Sequence, residues 1–248
     1  MTLLGPQGKD GQSQSLQLRY NLQLSISNGM KVAAHNGLVM IHDGKDGICM
    51  VEVKAFNRWG TQGIEVMDPG LKNYITLEAK IVPKTGARYA GSRFHKSRTF
   101  IVERLINKLQ VPGHKGKKHF KTSYHITGKG QTAYKLVEDV FKVLEARTKE
   151  NPIKVFVKAV ENAAPREEII TIEYGGARYP KAVECAPQRR VDLALRYMIQ
   201  GAYHKSFNNK KPFKDFMVEE ILAAYQNNQN SAAISKKLEI ERQADSSR

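Results

Sequence analysis

A short stretch near the middle of the chain carries residue types suited to binding a phosphate backbone. Residues 175–180 read GGARYP, and residues 187–192 read PQRRVD. The two glycines can supply a tight hairpin turn, because glycine adopts positive φ without steric penalty. A helix that begins at the second proline would carry Arg189 and Arg190 in its first turn. Arg178 and Tyr179 would then lie at a hairpin tip, where a cation beside an aromatic ring suits nucleic acid better than catalysis.

The overall charge points in the same direction. Among 248 residues there are 40 Lys and Arg against 24 Asp and Glu, which gives a formal charge of +16 and a sequence pI of about 9.8. Such an excess usually indicates a polyanionic partner. An anionic membrane surface is the main competitor to nucleic acid. The cations are interleaved with glycine, histidine and aromatic residues and do not follow one long amphipathic helix, so we expect nucleic acid and no membrane.

No catalytic or metal-binding pattern accompanies the charge. Cys49 and Cys185 are far apart and lack the spacing of a zinc site, so we expect two reduced thiols. Residues 113–118 (GHKGKK) faintly resemble a phosphate loop, but the required spacing is absent. No paired-carboxylate or nucleophile signature appears. We therefore expect a protein that is not an enzyme and that holds no cofactor and no metal. No apolar run approaches the ~18 residues of a membrane span, and no secretion signal is recognised.

The strongest concentration of positive charge lies in residues 80–130. This region has one acid, Glu103, and thirteen cations, which are Lys80, Lys84, Arg88, Arg93, Lys96, Arg98, Arg104, Lys108, Lys115, Lys117, Lys118, Lys121 and Lys129. A solvated lysine-rich face is the ordinary explanation of a charge run. Here the imbalance would be costly through self-repulsion without an anionic partner.

Composition and periodicity divide the chain into three parts. Residues 1–49 are rich in Gly, Gln, Ser and Asn, and we expect either a poorly ordered extension or a segment upstream of the true start at Met50, with one possible strand at 16–26. Residues 50–99 form a basic N-terminal arm with short strand-like pieces, among them 63–66 and 74–77. Residues 100–248 form a helical domain with a hairpin at 169–186. The fold class is therefore mainly α, with one protruding β-hairpin.

Several motifs in order make the chain resemble the archaeal form of small-subunit ribosomal protein seven, whose eukaryotic relatives are numbered five. The motifs are residues 85–90 (TGARYA), 101–107 (IVERLIN), 116–118 (GKK), 150–153 (ENPI), 162–168 (NAAPREE), 174–176 (YGG), 187–194 (PQRRVDLA) and 233–237 (AISKK). The resemblance covers roughly residues 55–248. Residues 1–49 have no recognised counterpart, and residues 119–131 look like an insertion.

The resemblance implies a bundle of about six helices with one protruding hairpin. It also implies binding to the 3′ major domain of small-subunit rRNA, the start of head assembly, and a cytoplasmic location in the small subunit near exit-site tRNA and the mRNA exit channel. Neighbouring head proteins and small-subunit protein eleven are the implied protein partners. The implied rRNA-binding residues are Arg88, Arg93, Lys96, Arg98, Lys115, Lys117, Lys118, Arg189, Arg190, Lys236 and Lys237. The implied tRNA-facing hairpin residues are Gly175, Gly176, Arg178 and Tyr179.

Alternatives stay open for single residues and for the whole chain. Arg189 and Arg190 could pair with nearby acids instead of RNA. Tyr179 could pack beneath the hairpin instead of stacking on a base. An extraribosomal RNA-binding regulator would need no different sequence.

Overall fold

The architecture is that of a computed structural model, which describes residues 32–35, 38–42, 48–80, 83–88, 90–115, 118–119, 121–123 and 126–248. The chain divides into two units, residues 1–53 and residues 54–248. The functional boundaries predicted at residues 49 and 99 stay predictions.

The first unit contains a three-stranded antiparallel sheet. Its strands, in spatial order, are β1 (Val32–His35), β2 (Leu38–His42) and β3 (Ile48–Glu52). β2 lies in the centre, with Val39 opposite both Ala34 and Val51. Sequence periodicity did not suggest β1 or β2. The strand predicted at 16–26 lies outside the described residues, and the poorly ordered extension stays a prediction.

The second unit is mainly helical, as predicted. Its described residues form seven α-helices, six of them nine residues or longer. They are α1 (Pro69–Lys72), α2 (Ile101–Leu109), α3 (Gly130–Thr148), α4 (Pro152–Ala163), α5 (Pro187–Ser206), α6 (Phe213–Tyr225) and α7 (Ala232–Asp245). The prediction of about six helices with one protruding hairpin is confirmed.

Helices α4 and α7 begin with a side-chain cap. The side chain of Asn151 accepts a hydrogen bond from the Ile153 amide at 3.0 Å, and Pro152 occupies the first turn of α4. Ser231 caps α7 in the same manner. These caps satisfy amides that have no partner within their own helix, which is why such residues mark a helix start reliably in sequence.

The core surrounds helix α4. Its side chains are buried on nearly every face, and it packs against α3, α5, α6 and α7. Phe156 of α4 meets Phe141 of α3 at 5.8 Å between ring centroids, and the buried Trp59 meets Phe141 at 5.9 Å. Burial of aromatic rings supplies much of the hydrophobic free energy of such a core.

Residues 54–80 lead into the helical unit without forming a sheet. The strands predicted at 63–66 and 74–77 are not formed, and one parallel bridge between Thr76 and Phe100 is found there. Leu71 and Ile75 are buried. Side-chain burial therefore holds this segment in place instead of a strand ladder, and the short strand-like patterns in its sequence do not indicate strands.

The predicted hairpin is present as β6 (Glu167–Tyr174) and β7 (Ala177–Glu184). Tyr174 pairs with Ala177, which leaves Gly175 and Gly176 as a two-residue turn with φ of +55° and +86°. Both residues of such a turn need positive φ, so glycine suits both positions. β6 packs on α7, whereas the outer residues of both strands are exposed. The hairpin is thus anchored at its base and free at its tip.

A second, smaller hairpin follows α2. Its strands are β4 (His114–Lys115) and β5 (Lys118–His119). Gly113 lies so close to the returning chain that a Cβ there would be 2.0 Å from the Lys121 carbonyl oxygen. The hairpin base also contacts α5, where Gln200 donates to the His114 carbonyl at 2.5 Å. The described residues of this hairpin are thus fastened to the helical body.

Candidate RNA interface

The first turn of α5 is the meeting point of three parts of the chain. Arg189 reaches the hairpin, Arg190 reaches the lead-in segment, and Asp192 reaches the basic arm. Three side chains within one helical turn leave the helix in different directions, so one short motif contacts several elements. The PQRRVD motif therefore connects helix α5 to the hairpin, the lead-in segment and the basic arm.

Arg189 forms an ion pair with Glu168 of β6. Its guanidinium nitrogen Nη2 lies 2.7 Å from Glu168 Oε2, and Nε donates to the same carboxylate at 2.8 Å. The hydrogen bond to Glu168 raises the pKa of Arg189 above its usual range. The Arg189 side chain is 53% exposed, so solvent screens this pair considerably.

Arg190 is buried, and two nitrogens of its guanidinium group donate hydrogen bonds to protein groups. Nη2 lies 2.8 Å from Asp68 Oδ2, and Nε donates to the Pro165 carbonyl at 3.0 Å. Burial opposes ionisation of Asp68, but the hydrogen bonds from Arg190 and the Gly70 amide, together with the nearby positive charges, outweigh it and lower the pKa of Asp68. Both arginines thus make the acid pairs weighed as the alternative, while RNA contact by either stays a prediction.

Asp192, two residues further on, ties the basic arm to the helices. It accepts from Lys96 Nζ at 2.9 Å and from Arg104 Nη2 at 3.0 Å. Burial would raise the pKa of Asp192, but the hydrogen bonds from Lys96 and Arg104 lower it below its ordinary value. The role of Asp192 cannot be read from the sequence, because its partners Lys96 and Arg104 are 96 and 88 residues away.

The basic arm presents its remaining cations to solvent. Arg88, Arg93 and Arg98 are exposed, and none of them forms an ion pair with a residue that the structure describes. Lys96 differs, since it pairs with Asp192. The acid Glu103 is buried and accepts from the Thr85 amide at 2.8 Å, so it fastens the arm and does not neutralise its arginines.

The remaining predicted cations fall into two groups. Lys115 and Lys118 lie on the strands of the small hairpin, and Lys117 lies outside the described residues. Lys236 pairs with Glu239 one helical turn away, and Lys237 donates to the Asn162 carbonyl at 2.8 Å. Burial lowers the pKa of Lys237. Among these lysines, Lys237 connects helix α7 to helix α4 through its hydrogen bond to the Asn162 carbonyl.

Two tyrosines near the hairpin tip are exposed, so Tyr179 does not pack beneath the hairpin, whereas its contact with a base stays a prediction. Tyr179 is 59% exposed and Tyr174 is 77% exposed. Arg178 approaches Glu173 across the strands at 3.7 Å, a long and solvated pair. The structure thus places Gly175, Gly176, Arg178 and Tyr179 together, away from the helical core.

Other kinds of site receive no support from the described part of the chain. No group of three His, Cys, Asp or Glu residues there is placed to hold a metal ion. None of the helices described there is long and apolar enough to cross a membrane. Burial raises the pKa of the Cys185 thiol to about 11, so this thiol is protonated at neutral pH.

Comparison with known proteins agrees with the geometry. The family described as ribosomal protein S7p/S5e matches residues 71–248. Among similar proteins is the small ribosomal subunit protein uS7 of Nanoarchaeum equitans, which is 52% identical over 198 residues. That alignment covers 80% of this chain and 100% of the relative.

Proposed function

The chain belongs to the ribosomal protein S7p/S5e family, and we propose that it binds the 3′ major domain of small-subunit rRNA and starts assembly of the subunit head. The chain is a small-subunit ribosomal protein of archaeal type, located in the cytoplasmic ribosome. Proteins of this family are structural and RNA-binding, not enzymes.

The observation that carries the proposal is the set of exposed arginines on the anchored basic arm. Arg88, Arg93 and Arg98 are exposed and form no ion pair within the part of the chain that the structure describes, while Lys96 and Glu103 hold the arm against the helices. An anchored arm loses less conformational entropy on binding than a free one. The cations are therefore presented to a polyanion in a largely preorganised form.

Phosphate neutralisation is the source of affinity in this proposal. Each arginine that meets a phosphate releases condensed counterions, so binding weakens as salt rises. The planar guanidinium also matches two phosphate oxygens at once. Contacts of this kind respond to the shape of a folded RNA more than to its base sequence.

The hairpin is assigned to the exit-site tRNA and the neighbouring mRNA. Its exposed tip carries Arg178 and Tyr179 on a turn without side chains at Gly175 and Gly176, which permits close approach to a nucleic acid backbone. Small-subunit protein eleven is proposed as a neighbour through the C-terminal region, where α7 lies. Other head proteins complete the surroundings.

A filter-binding titration tests the rRNA assignment. The full chain is titrated with the 3′ major domain transcript and with an unrelated RNA of equal length, each at several salt concentrations. Much tighter binding to the domain supports the proposal. Equal affinity for both RNAs would show that the charge acts nonspecifically and would contradict it.

A paired substitution tests which cations meet phosphate. The Arg93→Ala, Lys118→Ala protein should bind the domain more weakly, with the salt slope reduced by about two. Arg58→Ala is the matched control, because Arg58 is a half-exposed cation of the lead-in that pairs with Glu145 at 3.8 Å. An unchanged slope in the double variant would show that its cations do not meet phosphate.

The hairpin assignment needs the assembled subunit. A photoreactive phenylalanine analogue at Tyr179 in reconstituted small subunits should cross-link to tRNA held in the exit site. The same analogue at Leu238, an exposed position on α7, serves as the control. Cross-links from position 179 to ribosomal protein alone would contradict the assignment.

A further inference from the structure

We propose that Phe94 is a stacking site for an unpaired RNA base, so that the basic arm holds a base as well as phosphates. This inference rests on the proposed binding of rRNA and adds to it a second kind of contact. It is carried by the exposure, backbone conformation and surroundings of this one ring.

Phe94 is unusually exposed for a large apolar residue. Its side chain is 62% exposed, and no aromatic contact to it is found among the described residues. Within the arm it lies between Arg93 and the short 3-10 turn His95–Arg98. An aromatic ring left in water has a hydrophobic cost, which contact with a flat partner would remove.

The backbone at Phe94 holds a conformation that bulky residues avoid. Its φ is +55° and its ψ is +24°, in the left-handed region. Such a residue costs free energy unless its surroundings enforce the conformation, and strained residues of this kind cluster at ligand-contacting sites. The ring is thus held outward by the local chain instead of folding back on the core.

The residues after Phe94 are fastened to the helical unit. Lys96 pairs with Asp192 at 2.9 Å, and Thr76 donates to the Ser97 carbonyl. The Thr99 hydroxyl donates to the His95 carbonyl at 3.2 Å, which closes the turn on itself. Phe94 therefore projects from a fixed support, and little ordering is needed when a partner arrives.

The chemistry around the ring favours a nucleic acid base over a protein partner. Residues 84–98 contain five cations and no acid. Arg93 and Arg98 are exposed on either side of Phe94 in the chain. A flat apolar ring flanked by cations suits an unstacked base with its neighbouring phosphates, because the base covers the ring and the phosphates meet the guanidinium groups.

The test separates stacking from charge. Phe94→Ala should weaken binding of the full chain to the 3′ major domain transcript by roughly 5- to 150-fold at every salt concentration. The salt slope should not change, because no cation is lost. Phe94→Tyr should retain wild-type affinity, since it keeps the flat ring. Met67→Ala is the control for loss of an exposed apolar side chain outside the cationic residues 84–98, as Met67 is 79% exposed.

A fluorescence measurement gives an independent readout. Trp59 is the sole tryptophan and is buried, so Phe94→Trp introduces one exposed reporter. Its emission should be quenched when the domain transcript is added. Thermal unfolding of each variant, followed by circular dichroism, checks that the fold is kept.

Three results would overturn the inference. Phe94→Ala that binds the domain as tightly as wild type would show that no base stacks there, while specific rRNA binding by wild type still stands. Emission of Phe94→Trp that stays unchanged at saturating RNA would show the same. Wild-type protein that does not prefer the domain over control RNA would overturn the proposed function itself, and the base site with it.

Discussion

The carboxylate of Asp192 in the first turn of α5 accepts a hydrogen bond from Lys96 of the basic arm, with 2.9 Å between Nζ and Oδ2. The same carboxylate holds the buried guanidinium of Arg104 through its other oxygen. One acid therefore fixes both the arm and helix α2. Because Asp192 fixes the basic arm, it also determines the position of the exposed arginines that the arm carries.

Asp192→Asn should destabilise the protein by about 2–3 kcal/mol, because Arg104 loses its charged partner in a buried setting. The measurement is the free energy of unfolding in urea. Asp139→Asn is the control, since Asp139 is exposed and its distance from Lys142 is 3.6 Å. We expect less than about 1 kcal/mol from the control. Equal losses of unfolding free energy in both variants would show that the ion pairs of Asp192 stabilise the fold no more than an exposed pair does.

Acid should remove the contribution of Asp192. Its folded pKa lies below the unfolded value of about 3.9. Its stabilisation is therefore complete above pH ~4 and is lost as pH falls through the folded pKa. The difference in unfolding free energy between wild type and Asp192→Asn should shrink over that range. A difference that stays constant down to pH 2 would mean that the pKa of Asp192 is not lowered by folding.

Arg189 and Arg190 are neighbours in sequence whose truncation should lower stability to different extents. Arg190→Ala removes bonds to Asp68 and the Pro165 carbonyl in a buried site, and should cost about 2–4 kcal/mol of stability. Arg189→Ala removes an exposed pair and should cost no more than about 1 kcal/mol. Urea unfolding of the two variants side by side gives the comparison. Comparable small losses would show that Arg190 is free for another partner.

Helix α7 should depend on its cap. Ser231 accepts from the Ile234 amide and donates to the buried Glu220 at 2.7 Å, and Glu220 also accepts from the Ala233 amide at 3.0 Å. Ser231→Ala should therefore lower stability by about 1–2 kcal/mol. Ser246→Ala, at the exposed end of the same helix, is the control and should leave the melting temperature nearly unchanged. A Ser231 variant as stable as this control would contradict the capping role.

Local signals account for what the sequence analysis could predict. The start of α5 was predictable because Pro187 suits the first turn of a helix, and the hairpin turn was predictable because Gly175 and Gly176 are adjacent. The partners of α5 were not readable, because Arg190 and Asp68 are 122 residues apart and Lys96 and Asp192 are 96 apart. Composition identified the basic arm, but it could not separate the exposed Arg93 from Lys96, which pairs with Asp192.

Removal of the hairpin tip should leave the fold and rRNA binding intact. Tyr174 and Arg178 are exposed. β6 packs on α7 near the hairpin base, where the Arg166 amide donates to Glu241 of α7 at 3.0 Å. Replacing residues 173–178 with a two-residue Asn-Gly turn should therefore shift the melting temperature little, since the lost residues bury almost no surface. Affinity for the 3′ major domain should also be unchanged, because the basic arm is untouched. Thermal unfolding and filter binding measure the two quantities. A variant that fails to fold would show that the tip is structural, and one that folds but loses rRNA affinity would show that the tip contacts that domain.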